Sequence, residues 1–268
     1  LNVQNAGAES YNVAVGFEAG KLVSTGIQNT IVGAQAGDAL TTGTRNVAIG
    51  YAALGAEDAH GKNIAIGYQA LTAQDAGTDA RNVAIGYEAG HDVSTGIKNV
   101  FVGNSAGEKV TEGDNNTFLG ANAGDALTTG DNNIIIGYNA AAAAVDSDNS
   151  VTFGDANISA IRCQVQTISA LSDQRDKTDI KDSVYGLEYL ESLRPVTFEW
   201  NNREESVHKG TKDIGFIAQE LQEYDDEYTK LVLTDNPERL EASYGRLIPI
   251  LVQAVQDLSE KVKALENK

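Results

Sequence analysis

Short apolar triplets recur along residues 1–155, each preceded by a polar residue and followed by glycine. The triplets follow Asn12, Asn29, Asn46, Asn63, Asn82, Asn99, Asn116 and Asn133, and a ninth, weaker copy follows Ser150. Consecutive copies begin 17 residues apart, except that 19 residues separate Asn63 from Asn82. Triplets of this kind predict one brief β-strand per copy. A fixed period predicts an array in which neighbouring copies stack to bury their apolar faces.

Other positions of the repeat are constant in the first eight copies. Glycine always stands four residues after the leading Asn, where it permits a tight bend or a positive φ. Alanine always stands seven residues after it, as expected where backbones pack closely. The recurring Asn suits a turn or a ladder of side chains between stacked copies. The two extra residues, near Thr78 to Arg81, are expected in a loop.

Three apolar residues in 17 make a thin core, so either one chain winds a narrow solenoid or several chains share the core. The fixed Ala and Gly positions favour the shared core. Copies such as "NVAIGYEAG" resemble the heads of trimeric autotransporter adhesins and the repeat shafts of some phage tail fibres. That resemblance implies a mainly β shaft, a parallel β-roll or a triple β-helix, built as a homotrimer.

The pattern changes after residue 171 to that of a small α+β domain. Residues 183–193 carry apolar residues at helical spacing, with Asp182 or Ser183 as the expected N-cap. The other predicted elements are strands at 196–200, 213–217 and 231–233, a turn at Asn201 and Asn202, and a short helix at 218–224.

Residues 244–267 form the longest predicted helix. Its heptad-spaced seam consists of Leu247, Leu251, Ala254, Leu258 and Leu265. A second apolar row consists of Ile248, Val252, Val255 and Val262. Two rows suit a helix that packs on its own domain and on partner chains, so the seam is the predicted trimerisation surface. The alternative is a single amphipathic helix that covers the sheet of a monomer.

Four segments of the second half occur in a characteristic order: "SDQRDKTDIK", "LRPVTFEW", "IGFIAQELQE" and "YGRLIPILVQAVQDLSEKVKALE". They resemble the intramolecular chaperone, auto-processing domain of endosialidase tailspikes and of many other phage tail fibres. The resemblance covers residues 172–268. It implies a repeat shaft at 1–155, a junction at 156–171 and a self-cleaving chaperone at 172–268 that ends in a coiled-coil-like helix.

The resemblance also implies a Ser–Lys dyad, Ser172 and Lys177, which cuts the chain's own backbone at Leu171–Ser172. Such a domain is a single-turnover serine endopeptidase with no external substrate. The lysine must be neutral to accept the hydroxyl proton, so folding has to desolvate it. Sequence spacing alone does not bring the two side chains together. The resemblance implies a hydrophobic residue before the lysine, whereas Asp176 stands there and favours slow or absent cleavage.

Without the resemblance, this stretch is a charged linker. Its remaining charges, Asp173, Arg175, Asp179 and Lys181, are expected to form an ion-pair network that orients the junction.

Composition narrows the remaining functions. The net charge of −18 argues against nucleic acid or an anionic membrane as a partner. No apolar run of about 18 residues exists, so membrane insertion is not expected. The single Cys163 allows no internal disulfide. The three histidines, His60, His91 and His208, show no ligand spacing and are expected at the surface.

Neither a cofactor motif nor a metal motif occurs, and without a GGxGxD repeat or regular threonines a calcium-binding or ice-binding solenoid is disfavoured. The opening "LNVQN" and the absence of Met indicate the C-terminal part of a longer protein.

The expected function is that of the C-terminal part of a phage tail fibre or spike, made in the host cytoplasm and carried in the virion. Its main partner is itself, in a homotrimer. The shaft is either a spacer or a surface for a host receptor such as a glycan or an outer-membrane component. One alternative is a cell-surface trimeric adhesin with a permanent, uncleaved trimerisation cap. Another is a membrane-linked regulatory protein that uses the same self-cleaving domain.

Overall fold

The computed structural model describes residues 4–5, 7, 9–164, 170–201 and 209–268. The chain divides into two compact units, Leu1–Ala156 and Asn157–Lys268. The first unit is a parallel β-solenoid with one short strand per turn. Its strands are β1 (Val13–Val15), β2 (Thr30–Val32), β3 (Val47–Ile49), β4 (Ile64–Ile66), β5 (Val83–Ile85), β6 (Val100–Val102), β7 (Thr117–Leu119), β8 (Ile134–Ile136) and β9 (Val151–Phe153). The strand predicted for each copy is therefore confirmed.

Consecutive strands pair in parallel and form one nine-stranded sheet in chain order. The register follows the repeat, so that Phe101 of β6 lies beside Phe118 of β7, 17 residues later. The 19-residue copy keeps this register, because Ile64 of β4 pairs with Val83 of β5. The insertion turns outward at Gly77, where an added Cβ would meet no atom within 4 Å. The loop expected for the insertion is confirmed.

The core of the solenoid is closed within one chain, which corrects the expectation of a core shared between chains. Strands pair with the next copy of the same chain, as in a parallel β-roll, and no triple β-helix forms in the described residues. The middle residue of β2–β8 points inward and is fully buried, as at Ile31 and Phe118. Apolar residues from the opposite side of the turn, such as Leu40 and Leu127, complete the filling. The three residues of each strand therefore make up only part of this core.

The repeated Asn residues form a buried ladder through the solenoid. The backbone N–H of each Asn from Asn29 to Asn133 donates to the Oδ1 atom of the Asn one turn earlier, at 2.7–3.0 Å. In most turns the Nδ2 group also donates to a backbone carbonyl 14 residues later, as from Asn99 to Gly113 at 2.7 Å. Each Asn thereby satisfies polar backbone groups that no water can reach. The predicted side-chain ladder is confirmed.

The outer residues of the strands are mostly apolar although they point away from this core. Exposed examples are Val13, Val15, Ile85, Leu119, Ile134, Val151 and Phe153. Beside them, Tyr51, Tyr68 and Tyr87 form an exposed stack with ring centroids 5.4 and 5.0 Å apart. A sheet with one face in water normally alternates apolar and polar residues. An apolar outer face of this extent is typical of a surface that a partner covers.

In its described residues, the second unit contains three α-helices and two small antiparallel sheets. Its elements are α1 (Leu187–Ser192), β10 (Val196–Glu199), β11 (Lys212–Gly215), α2 (Ala218–Gln222), β12 (Val232–Leu233), β13 (Glu241–Ala242) and α3 (Leu247–Glu266). β10 pairs with β11, and β12 pairs with β13. The predicted elements are thus present with shorter bounds, and β13 is additional. The predicted turn at Asn201 and Asn202 lies partly outside the described residues.

The N-cap predicted for α1 is wrong, because α1 begins at Leu187 after Gly186. Ser183 instead makes a local turn, in which its Oγ atom accepts the backbone N–H of Tyr185 at 3.1 Å. The N-terminus of α1 is capped from α3, where the carboxylate of Asp257 accepts the Leu187 N–H at 2.9 Å. That backbone hydrogen bond lowers the pKa of Asp257. A Cβ at residue 186 would lie 2.1 Å from this carboxylate and would displace it from the cap.

The small core of this unit joins all three helices. Its buried residues are Leu193, Leu221, Leu231, Val232, Leu247 and Ile250. α3 therefore contributes its first turn to the core, and residues 244–246 form a separate 3-10 turn before it. Along the rest of α3, most apolar side chains are exposed.

Candidate functional site

The junction residues fold into one tight turn. Asp173 caps a 3-10 turn at Gln174–Asp176, and its carboxylate accepts the backbone N–H of Arg175 at 2.8 Å. Lys177 ends this turn, and its own backbone N–H donates to the carbonyl of Gln174 at 3.2 Å. The turn thus allows side chains five residues apart in the sequence to come into contact.

This turn places the predicted dyad side chains in contact. The Lys177 Nζ atom lies 2.7 Å from the Ser172 Oγ atom and 3.4 Å from the Ser172 carbonyl oxygen. The first distance is within the range for proton transfer between a nucleophile and a base. Leu171, on the other side of the bond predicted to be cut, is 99% exposed. Ser172 and Lys177 are exposed as well.

The expected four-residue ion-pair network is reduced to one pair. The Arg175 guanidinium contacts the Asp173 carboxylate at 2.6 Å, and this hydrogen bond lowers the pKa of Asp173. Within the described ranges, Asp179 and Lys181 take part in no ion pair. Asp176 makes no ion pair with Lys177 either, so that carboxylate does not hold the lysine away from Ser172.

The predicted trimerisation residues divide into two groups on α3. Leu247 and Ala254 are buried against their own chain, at 7% and 4% exposure. Leu251, Leu258 and Leu265 are about half exposed or more. The second row is exposed as well, at Ile248, Val252, Val255 and Val262. The surface that α3 offers to a partner therefore consists of the exposed residues of both rows. Leu247 and Ala254 instead pack the helix against its own chain.

Part of this region matches a known protein family. Residues 172–233 match the family model described as chaperone of endosialidase. This stretch is a chaperone-of-endosialidase domain. The match begins at Ser172 and ends at β12, so the solenoid and α3 lie outside it. No curated protein and no solved structure matches the chain.

The segment that matches the chaperone family therefore also contains the Ser172–Lys177 contact. It follows a parallel β-solenoid, as the sequence predicted. In the part of the chain that the structure describes, no helix is long and apolar enough to cross a bilayer.

One group of side chains was missed by the sequence reasoning. Glu57, Asp58, His60 and Asp75 place one potential ligand atom each within 4.8 Å of one another. His60 was expected at the surface, whereas its side chain is 30% exposed and approaches a fully buried glutamate. The side chain of His91 is 31% exposed and pairs with Asp92, and His208 lies outside the described residues. The available signal was Glu57 itself, which occupies a repeat position that is Val or Leu in most other copies.

Proposed function

We propose that this chain is the C-terminal part of a phage tail fibre or spike. In this proposal the chaperone domain and α3 hold three chains in register while the solenoid folds. The chaperone is then released by cleavage at Leu171–Ser172. The contact between Lys177 and Ser172 carries the proposal, since it occurs at the first residues of the family match.

A repeat array needs help with register. Neighbouring copies have nearly the same strand and Asn pattern, so a shift by one turn would preserve most of the ladder within a misaligned trimer. A trimeric helix at one end fixes the alignment before the long β assembly forms. The apolar outer residues of the strands supply a surface for that assembly, as do the exposed rows of α3.

The cleavage step uses the atoms that the turn places together. A neutral Lys177 amine accepts the Ser172 hydroxyl proton while Oγ attacks the carbonyl carbon of Leu171. The C–N bond then breaks, and its nitrogen takes a proton to become the new amino terminus of Ser172. Water hydrolyses the ester that remains and releases the Leu171 carboxylate. After this, the trimer no longer has the chaperone that assembled it. A high barrier to unfolding then keeps the three chains together.

The exposure of Lys177 links this chemistry to assembly. A lysine in contact with water stays charged, and burial favours its neutral form. In one chain the junction is exposed, so a neighbouring chain has to cover it. Cleavage would then follow trimerisation and would not cut an unassembled chain.

The same exposure favours the second candidate function, a cell-surface adhesin with a permanent trimerisation cap. In that protein Lys177 stays solvated, and the chain is never cut. In both candidates a host-surface receptor, such as a glycan, remains a predicted partner of the shaft.

Denaturing gels and mass spectrometry of the full chain test the proposal. Wild type should give two fragments, the second beginning at Ser172, while Ser172→Ala and Lys177→Ala stay intact. Lys181→Ala is the matched control, because it removes a nearby exposed lysine outside the dyad, and it should be cut normally. An intact wild-type trimer would favour the permanent cap. A wild type that is monomeric by light scattering would contradict both candidates.

A further inference from the structure

The third turn of the solenoid departs from the others at its core position. Eleven residues after the leading Asn, most turns bury an apolar residue, such as Val23, Leu40 or Val110. The third turn buries Glu57 there, at 0% exposure, and the fourth buries Gln74. Burial of a carboxylate in such a position is unfavourable unless a partner neutralises its charge or the group is protonated.

The lost apolar volume is replaced elsewhere in the same two turns. Eight residues after the leading Asn, most turns carry glycine, as at Gly37 and Gly107, beside the core side chains. The third and fourth turns carry Leu54 and Leu71 at this position, both fully buried. The core is therefore filled without the residue at position eleven, which leaves that position free for a polar role.

The Gln74 side chain is fully accommodated, whereas that of Glu57 is not. The Gln74 Nε2 group donates to the Ser94 carbonyl at 3.0 Å, and its Oε1 atom accepts from Asn82. The Glu57 Oε1 atom accepts the backbone N–H of His60 at 2.8 Å, but its Oε2 atom is buried without a hydrogen-bond partner. The Nδ1 atom of His60 is likewise buried and unpartnered, 3.5 Å from Glu57 Oε1.

Two more carboxylates complete the group. Asp58 and Asp75 occupy the same repeat position in successive turns, 17 residues apart. One oxygen of each lies within 4.8 Å of the Glu57 and His60 ligand atoms. Burial raises the pKa of Glu57, and the charge of Asp75 raises it further, whereas His60 lowers it. Three carboxylates this close repel one another unless a positive charge lies between them.

We infer that Glu57, Asp58, His60 and Asp75 bind one divalent transition-metal ion between the third and fourth turns of the solenoid. Carboxylate oxygens and an imidazole nitrogen are the ligand types used by Zn²⁺ and similar ions. The ion would satisfy the unpartnered Oε2 and Nδ1 atoms and neutralise the carboxylates. It would also cross-link the third turn to the fourth, which is the irregular 19-residue copy, where Asn63 Nδ2 has no hydrogen-bond acceptor.

Zn²⁺ titration of the metal-free full chain tests this site, with a chromophoric chelator as competitor. Wild type should bind one Zn²⁺ per chain. Removing even an outer-shell partner of a metal ligand weakens binding about 10–100-fold. We therefore expect His60→Ala and Glu57→Gln to weaken it at least tenfold. Glu57→Gln is expected to fold, because the next turn carries Gln74 beside a leucine in the same arrangement.

His91→Ala is the control for adventitious binding, because it removes a histidine of similar exposure, 31%, that also pairs with an aspartate, and it should bind like wild type. Zn²⁺ should raise the melting temperature of wild type and of His91→Ala, but not that of Glu57→Gln. Absence of one-equivalent binding by wild type would overturn the inference. Equal affinity in His60→Ala, or binding of Ca²⁺ alone, would do the same, because the site would then not use the imidazole.

Discussion

The backbone N–H of Asn116 donates a 2.8 Å hydrogen bond to the Oδ1 atom of Asn99, one turn earlier in the solenoid. The Nδ2 group of the same Asn99 donates to the Gly113 carbonyl at 2.7 Å. One fully buried side chain thus serves a backbone donor 17 residues later and a backbone acceptor 14 residues later. Repetition of this contact links each turn to the next independently of the apolar core.

Replacement of Asn99 by Ala should destabilise the solenoid strongly. The Asn116 N–H and the Gly113 carbonyl would be left buried and unpaired, at about 1–3 kcal/mol each. We expect the free energy of unfolding to fall by about 2–6 kcal/mol in urea titrations followed by circular dichroism. Asn104→Ala is the control, because Asn104 is exposed, and it should change stability by less than about 0.5 kcal/mol. Similar losses in the two variants would contradict the role of the ladder.

Gly103→Ala should be among the most damaging small substitutions. The residue has a φ of +146°, and an added Cβ would lie 2.3 Å from the Gly120 carbonyl oxygen of the next turn. Backbone strain of about 1–3 kcal/mol would add to overpacking of about 1–3 kcal/mol. The expected loss is therefore about 2–6 kcal/mol in the same titration.

Gly77→Ala separates the two causes of that loss. Gly77 also has a positive φ, +65°, but a Cβ there meets nothing within 4 Å. Only the conformational penalty of about 1–2 kcal/mol should remain. If Gly77→Ala proved as harmful as Gly103→Ala, contact between turns would not be the reason for the fixed glycine.

The chaperone domain should depend on pH through Tyr185 and Asp226. The Tyr185 hydroxyl donates to the Asp226 carboxylate. This bond, aided by the Thr229 N–H, lowers the pKa of Asp226 from 3.8 to about 2. It also raises the pKa of Tyr185 from 10.0 to about 12. The stabilisation is therefore present between about pH 4 and 10, and it is lost as the pH falls toward 2 or rises through 12.

Tyr185→Phe keeps the ring but removes this hydrogen bond. The urea midpoint of the variant should lie below that of wild type at pH 7, and the difference should shrink at pH 3. Tyr228→Phe is the control, because it removes the hydroxyl of a tyrosine that is 72% exposed, and it should show no such pH dependence. A difference for Tyr185→Phe that stayed constant between pH 7 and pH 3 would contradict the assigned pKa shift.

Val255→Asp should dissociate the proposed trimer without unfolding the chain. Val255 is 66% exposed on α3, so the charge would be solvated in a monomer and unfavourable in an apolar interface. Light scattering should show a trimer for wild type and a monomer for the variant, with the same circular dichroism spectrum. Ala264→Asp, at an exposed position on the opposite side of α3, is the matched control. A trimeric Val255→Asp would remove α3 from the interface.

The strands of the solenoid could be predicted because identical copies report the same local environment many times. Three apolar residues, a glycine and an Asn at constant spacing are enough for the strand bounds and the side-chain ladder. The start of α1 could not be predicted, because its cap comes from Asp257, 70 residues later. The Ser172–Lys177 contact was implied by family resemblance, while sequence spacing by itself argued against it.

The sequence by itself determined the period, the strands and the order of the two units, because these depend on local pattern and repetition. Tertiary structure alone decided which apolar residues face inward, since the β-roll closes on itself and leaves the outer residues of each strand half-buried or exposed. It also decided that Glu57, Asp58, His60 and Asp75 meet. Residues in successive turns become neighbours only when the chain has wound, and only then does a buried, unpartnered carboxylate oxygen become visible.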